Sequence, residues 1–249
     1  MQPHRLLLLT TIAAATLAAT PFTLAQSAAG LDRRAARAEQ APQGQPFAVA
    51  SAKDAPESAV TGYLRSRGRS AAVVASLRGG NATSARGLTH IRWQQEIDGL
   101  AVHGAYLKAT LNARGEMVHV IEKLADVAPL APSRIDAATA LRTVLAQLHP
   151  GEGAGLRRID SQGQTTRFDG GAFFHSPPSA TAVAVPLADG TLARGWLVET
   201  WSQKDNQLNH TLVGGDGRIL DIERRTANDS YNVFTVDPGK ALHLSLIHI

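Results

Sequence analysis

An Asp98-Gly99 pair divides two stretches in which apolar and polar residues alternate. In "LTHIRWQQEI" Ile91, Trp93 and Ile97 alternate with His90, Arg92 and Glu96, the period of two that marks a half-buried strand. Asp-Gly supplies the positive φ that a two-residue hairpin turn requires. The return strand "AVHGAYLKATL" runs to a turn at "NARG", and "EMVHVIEKL" predicts a third strand. Such an antiparallel meander has an apolar face that something must cover. The preceding segment offers the cover, because Val60, Tyr63 and Leu64 share one face of a short helix. Asp54 is expected to cap that helix, with Pro56 in its first turn and Glu57 at capping-box spacing.

The same order of elements then recurs. Ile135, Ala138, Leu141, Leu145 and Leu148 repeat at helical spacing, Ser133 and Asp136 stand at capping-box spacing, and His149-Pro150-Gly151 ends the run. A Gly-rich loop is expected next. "TAVAVPL", "LARGWLVETWS", "LNHTLVG" and "GRILDIER" follow as strands separated by "ADG" and "GGDG" turns. The expected fold class is therefore α+β: two tandem small helix-plus-antiparallel-sheet (cystatin-like) units, at residues 54–127 and 131–226. No residue-level repeat relates them. A chain of 249 residues has room for both.

The first 25 residues read as a signal peptide. Arg5 gives a positive n-region, Leu6 to Ala19 an apolar core too short to span a bilayer, and "TLA" at Thr23 to Ala25 a small-residue cleavage site. The expected product is secreted, with no membrane attachment after cleavage. Residues 26–53, rich in Ala, Gln, Pro and charge, are expected to be a flexible lead-in. With no cysteine, no disulfide stabilises the fold, and packing must do so alone. The formal charge of +4 comes from scattered Arg beside Asp or Glu, without a basic-aromatic cluster, which argues against a nucleic-acid partner.

Catalytic patterns are missing. The chain has no G-x-S-x-G elbow, no thiol nucleophile and no Walker loop, and "GEGAG" at Gly151 to Gly155 follows a helix end, as a flexible loop would. None of the nine histidines begins an H-E-x-x-H zinc site. His119 and Glu122 imitate part of an inverted zincin motif, but Lys123 stands where the second His belongs, and a strand offset of three points the two to opposite faces. His90 and His103 are placed to face each other across the hairpin, as a metal pair or, more ordinarily, as cross-strand packing. No catalytic residue and no metal ligand is assigned.

The stretch Thr89 to Leu124 resembles the FTP module, the propeptide segment shared by fungalysin and thermolysin-like zinc metalloproteases. The matching positions are Thr89, His90, Trp93, Gln95, Gly99, Val102, Gly104 and Gly115. The second unit, ending in "GGDGRILDIERR", is similar to a PepSY-type module. "NDSYNVFTVDPGK" is similar to the propeptide boundary of the fungalysin branch. The resemblance implies a pro-region that assists folding of a zinc endopeptidase in cis and blocks its cleft. Zinc is then expected in a catalytic domain, and no cofactor in this stretch. Processing is expected between Arg225 and Ser230, across Arg225, Thr226, Ala227, Asn228, Asp229 and Ser230, in a polar connector open to nicking. The alternative is a stand-alone exported inhibitor or envelope-binding module.

The ending "ALHLSLIHI" bears on that choice. A closing strand, a lipid-anchor tail and a truncation are the candidates, and the run is too short for an anchor. CTG-TCT-CTT-ATA-CAC-ATC encodes Leu-Ser-Leu-Ile-His-Ile and begins a widely used transposase sequencing adapter. Residues 244–249 are therefore expected to be adapter-derived, and residues 227–243 to open a catalytic domain that the chain lacks.

Overall fold

A computed structural model describes residues 30–50, 56–152 and 156–226. The expected signal peptide, the Asp54 cap, most of the "GEGAG" loop and everything from Ala227 onward lie outside the described residues.

The fold is α+β. Its first half runs β1 (Arg37–Gln40), β2 (Ala48–Val49), α1 (Glu57–Ser66), α2 (Ala71–Ala75), β3 (Leu77–Ala85), β4 (Leu88–Ile97), β5 (Leu100–Leu111) and β6 (Glu116–Lys123). Strands β3, β4, β5, β6 and β1 pair in that order, all antiparallel, and β2 extends β1's side of β6. The meander is the one the alternation predicts. Asp98 and Gly99 both adopt positive φ, 51° and 73°, which is the I′-type turn that Asp-Gly favours. Val60, Tyr63 and Leu64 of α1 are buried against Ile91, Trp93, Leu107, Leu111, Met117 and Val120. The helix begins at Glu57 with Pro56 at its N-cap and no side-chain capping bond.

The second half runs β7 (Leu130–Ala131), α3 (Ala137–Leu148), β8 (Arg158–Gln162), β9 (Thr165–Phe168), β10 (Ser179–Pro186), β11 (Leu192–Trp201), β12 (Leu208–Gly214) and β13 (Ile219–Arg224). Strands β8 to β13 form an antiparallel series in chain order, and β7 adds a parallel pair to β11. Ala140, Leu141, Val144 and Leu145 of α3 pack on Ala180, Val198 and Val213. Asp136 itself caps α3, its Oδ1 accepting the Thr139 N–H at 2.8 Å. Ser133 does not cap. Its Oγ accepts the Trp196 indole N–H at 3.3 Å, so the helix starts one turn later than the Ser133 spacing suggests. The hairpin β8–β9 replaces part of the expected loop. It is polar and mostly exposed, held by an Arg167–Asp160 ion pair, so no apolar alternation announces it.

Two corrections concern how the halves meet. They join along an edge, where β5 and β10 pair in parallel at Val102 and Ala184 and make one 13-stranded sheet. Ile97, Leu100, Val102, Ala105, Ala125, Ala184 and Leu192 bury the seam. The lead-in is also not a loose tether over its described part. Asp32 N–H donates to Pro186 O, and Ala188 N–H donates to Gly30 O, both at 2.9 Å. Arg33 pairs with Asp221 at 2.9 Å, and Leu31 packs with Val183, Val185 and Leu212. A few residues later β1 and β2 pair with β6 of the first half. Residues 30–49 therefore form a strap across both halves. It carries no apolar period because backbone pairing at a sheet edge uses groups that every residue has.

Candidate functional site

The motif positions of the first half do not converge on one pocket. They sit at three places along the β4–β5–β6 meander. Thr89 and His90 lie at the start of β4, where Thr89 Oγ1 and Ser84 Oγ share a 3.0 Å hydrogen bond and His90 Nδ1 lies 3.0 Å from Thr110 Oγ1. His90 pairs with Thr110 in the strand register, so it does not face His103, and the cross-hairpin pair read from the sequence is not formed. Gly115 is at the same end of the meander, in the turn just past Leu111, the partner of Thr89; its φ is 74°, and the Asn112 side chain there accepts the N–H groups of Arg114 and Glu116.

Trp93, Gln95, Gly99, Val102 and Gly104 belong together. Register is lost between Gln94 and Glu96, where β5 inserts residues 102–105 opposite residue 95. Gly104 makes that bulge possible at φ 67°, a conformation that costs a residue with a Cβ. The Gln94 amide fills the bulge and donates to Val102 O at 2.9 Å and Ala105 O at 2.8 Å. Gln95 points inward and is wholly buried. Its amide reads the Ala125 peptide from both sides: Nε2 donates to Ala125 O, and Oε1 accepts the Ala125 N–H, each at 2.8 Å. Nε2 also donates to Ser76 Oγ at 3.1 Å, which ties the end of α2 to the segment leaving β6. Val102 then reaches the seam with β10. These residues are architecture: they fix a hairpin, a bulge and a crossing.

No group of three or more His, Asp or Glu is placed to hold a metal ion among the described residues. Two half-buried or buried histidines are held neutral by their surroundings. Burial lowers the His103 pKa against the opposing pull of Asp221 and Glu223. Burial likewise lowers that of His149, which lies 3.1 Å from Thr200 Oγ1 and edge-on to Phe174, with Glu152 and Asp205 opposing the shift.

Of the expected processing positions, Arg225 and Thr226 are described, and Ala227, Asn228, Asp229 and Ser230 are not. Arg225 N–H donates to Leu208 O, and Thr226 Oγ1 accepts the Leu208 N–H, both at 2.8 Å. The last described residues thus lie beside the start of β12. There a groove of about 580 Å³ opens between the C-terminal end of α3 and β12–β13, lined by Leu148, His149, Asp205, Asn209, Ile222 and Arg224 among others. Sequence reasoning passed over it. Its one signal was polar Asn209 and Thr211 on the face of "LNHTLVG" that Val213 shares.

Residues 81–124 match the Fungalysin/Thermolysin Propeptide Motif, a protease propeptide segment. The match begins in β3 and ends just past β6, so it covers the meander and its bulge. No curated protein matches the chain. Among solved structures, the Bacillus megaterium YpeB C-terminal domain is similar over 72% of this chain and 69% of that one, at 8% identity and a TM-score of 0.31, a likeness too loose to build on. No helix among the described residues is long and apolar enough to cross a membrane.

Proposed function

We propose that this chain is the pro-region of a secreted zinc metalloendopeptidase, acting in cis as an intramolecular chaperone and inhibitor of the catalytic domain. The match of residues 81–124 to a protease propeptide motif carries this reading. The second half acts as a PepSY-like companion, and the signal peptide directs export. Zinc belongs to the catalytic domain. A covalently attached inhibitor works at an effective concentration on the order of millimolar, so weak intrinsic contacts suffice. β3 supports the reading further. Among the described residues it pairs only with β4, and its outer edge from Ala82 to Ala85 has small, exposed, uncharged residues, without the Lys or Pro that usually protects a free edge. Such an edge accepts an extended strand from a protease cleft. Processing falls between Arg225 and Ser230, and the bonds to Leu208 that hold Arg225 and Thr226 in the sheet support a cut beyond those two.

The test is an independent long read across the gene together with N-terminal sequencing of the secreted product. A frame that continues into an H-E-x-x-H peptidase, with a mature start at residues 227–230, is the expected result. A gene that stops after Ile249 with different codons overturns the cis reading in favour of a stand-alone inhibitor.

A further inference from the structure

Three Arg-Arg pairs occur in the sequence, at residues 33–34, 157–158 and 224–225. Two of them are held in the sheet. Arg158 pairs with Phe168, and Asp169 N–H donates to Arg157 O at 2.8 Å. Arg224 pairs with Asn209, and Arg225 N–H donates to Leu208 O at 2.8 Å. The first pair is different. It lies in the strap, in a stretch from Asp32 to Ala36 that is neither helix nor strand. No backbone hydrogen bond ties Arg34 or Ala35 to either half among the described residues. The Arg33 and Arg34 side chains are 67% and 69% exposed, and they pair with Asp221 and Asp32.

Its position gives this stretch a consequence. On one side, residues 30–33 hold the second half: Leu31 packs with Val183, Val185 and Leu212, Asp32 N–H donates to Pro186 O, and the Arg33 guanidinium donates to Leu220 O at 3.2 Å. On the other side, β1 and β2 hold the first half through β6. Between these anchors the strap crosses the seam without filling it. A cleft of about 90 Å³ remains there, lined by the seam residues Ala105 and Ala125 together with Arg34, Arg69 and Lys123. We propose that the strap is a cleavage site: an arginine-specific endoprotease hydrolyses the Arg34–Ala35 bond and so unfastens the two halves. Water adds across that C–N bond, leaving a carboxylate on Arg34 and an ammonium on Ala35. Exposed backbone without sheet partners is where such enzymes cut, and the Arg34 guanidinium has only to exchange the Asp32 carboxylate for one in the enzyme's pocket. While the chain is whole, its covalent link keeps residues 30–33 at high effective concentration beside the second half. Once cut, the short piece ending at Arg34 is held by two backbone bonds, one Leu side chain and Arg33 alone, and it dissociates. The seam then rests on the Val102–Ala184 pairing and its small apolar cluster. This device does not depend on the pro-region reading, because it concerns how the two halves are held to each other.

The probe is clostripain, which cuts after arginine, added at low ratio to the full chain, with the fragments read by mass spectrometry. The first cut should fall at Arg33–Ala35, before any after Arg158 or Arg225. Hydrogen exchange of the cut protein should then rise at least about tenfold at residues 100–105 and 182–186, while the cores under α1 and α3 keep their protection. The double variant Arg33→Lys/Arg34→Lys keeps both charges and should resist the first cut with wild-type exchange. Leu31→Asp, left uncut, should show the raised seam exchange of the cut protein, because it frees the same anchor without breaking the chain. A first cut at any other arginine overturns the proposal, as does a cut at Arg34 that leaves seam exchange unchanged. Loss of protection throughout both cores after the cut also overturns it, since the strap would then hold up the whole fold rather than fasten its halves.

Discussion

The two halves solve the same packing problem, and one inward amide in each shows how differently such a group can be placed. Each lays a helix on an antiparallel sheet and buries an aliphatic core between them. In the first half the inward amide of Gln95 is satisfied from within, by Ala125 and Ser76. In the second, the Asn209 amide makes no side-chain hydrogen bond to a described residue and borders the open groove, while the Thr211 hydroxyl is buried without a partner, as the Tyr63 hydroxyl of the first half also is. A satisfied buried network makes a structure rigid and unique. The Gln95 clasp makes the motif-bearing hairpin part of the scaffold, while β3 gives the same half a free edge and the second half carries an open groove.

The contrast predicts a graded set of responses. Gln95→Leu should be the most damaging, since it strands the Ala125 N–H and C=O in the seam; about 3 kcal/mol of stability should be lost in urea unfolding. A loss below about 1 kcal/mol would show that Gln95 is not a clasp. Asp136→Ala removes the only side-chain cap of α3 and should cost about 1 kcal/mol, while Asp136→Asn should restore most of it.

A smaller effect should appear with pH. Burial holds the folded-state pKa of His149 below 6.5, so below that pH the unfolded chain binds the proton more readily. The stability present above pH 6.5 should therefore fall as the solution is acidified. Thermal melts between pH 7 and pH 5 should show this slope, and it should be shallower in His149→Gln, with His103 supplying the remainder. A slope unchanged by the substitution would place the titrating group elsewhere.

Asn209→Leu should change least, and its sign is the informative part. Asn209 makes no side-chain hydrogen bond to a described residue, so replacing it with an apolar side chain of similar volume should leave stability within about 0.5 kcal/mol of wild type. A loss as large as that of Gln95→Leu would mean that the Asn209 amide has an internal partner and that the two halves are alike.

Much of the scaffold was legible before any coordinates. Ile91, Trp93 and Ile97 do face inward, Asp98-Gly99 does turn the chain, and Leu141 and Leu145 do anchor a helix. The capping signals were ambiguous because Ser133 and Asp136 suit the same role and differ by one turn. Only packing against Trp196 assigned Ser133 to another task.

The sequence determined the local periods, since alternation and helical spacing are consequences of backbone geometry acting over a few residues. Tertiary structure alone decided the strap, the seam at Val102 and Ala184, and the different fates of Gln95 and Asn209. Edge pairing draws on backbone groups that all residues share, and so leaves no mark in composition. Whether a buried amide finds a partner depends on atoms distant along the chain: Ala125 lies thirty residues from Gln95 and meets it, and for Asn209 no described residue does.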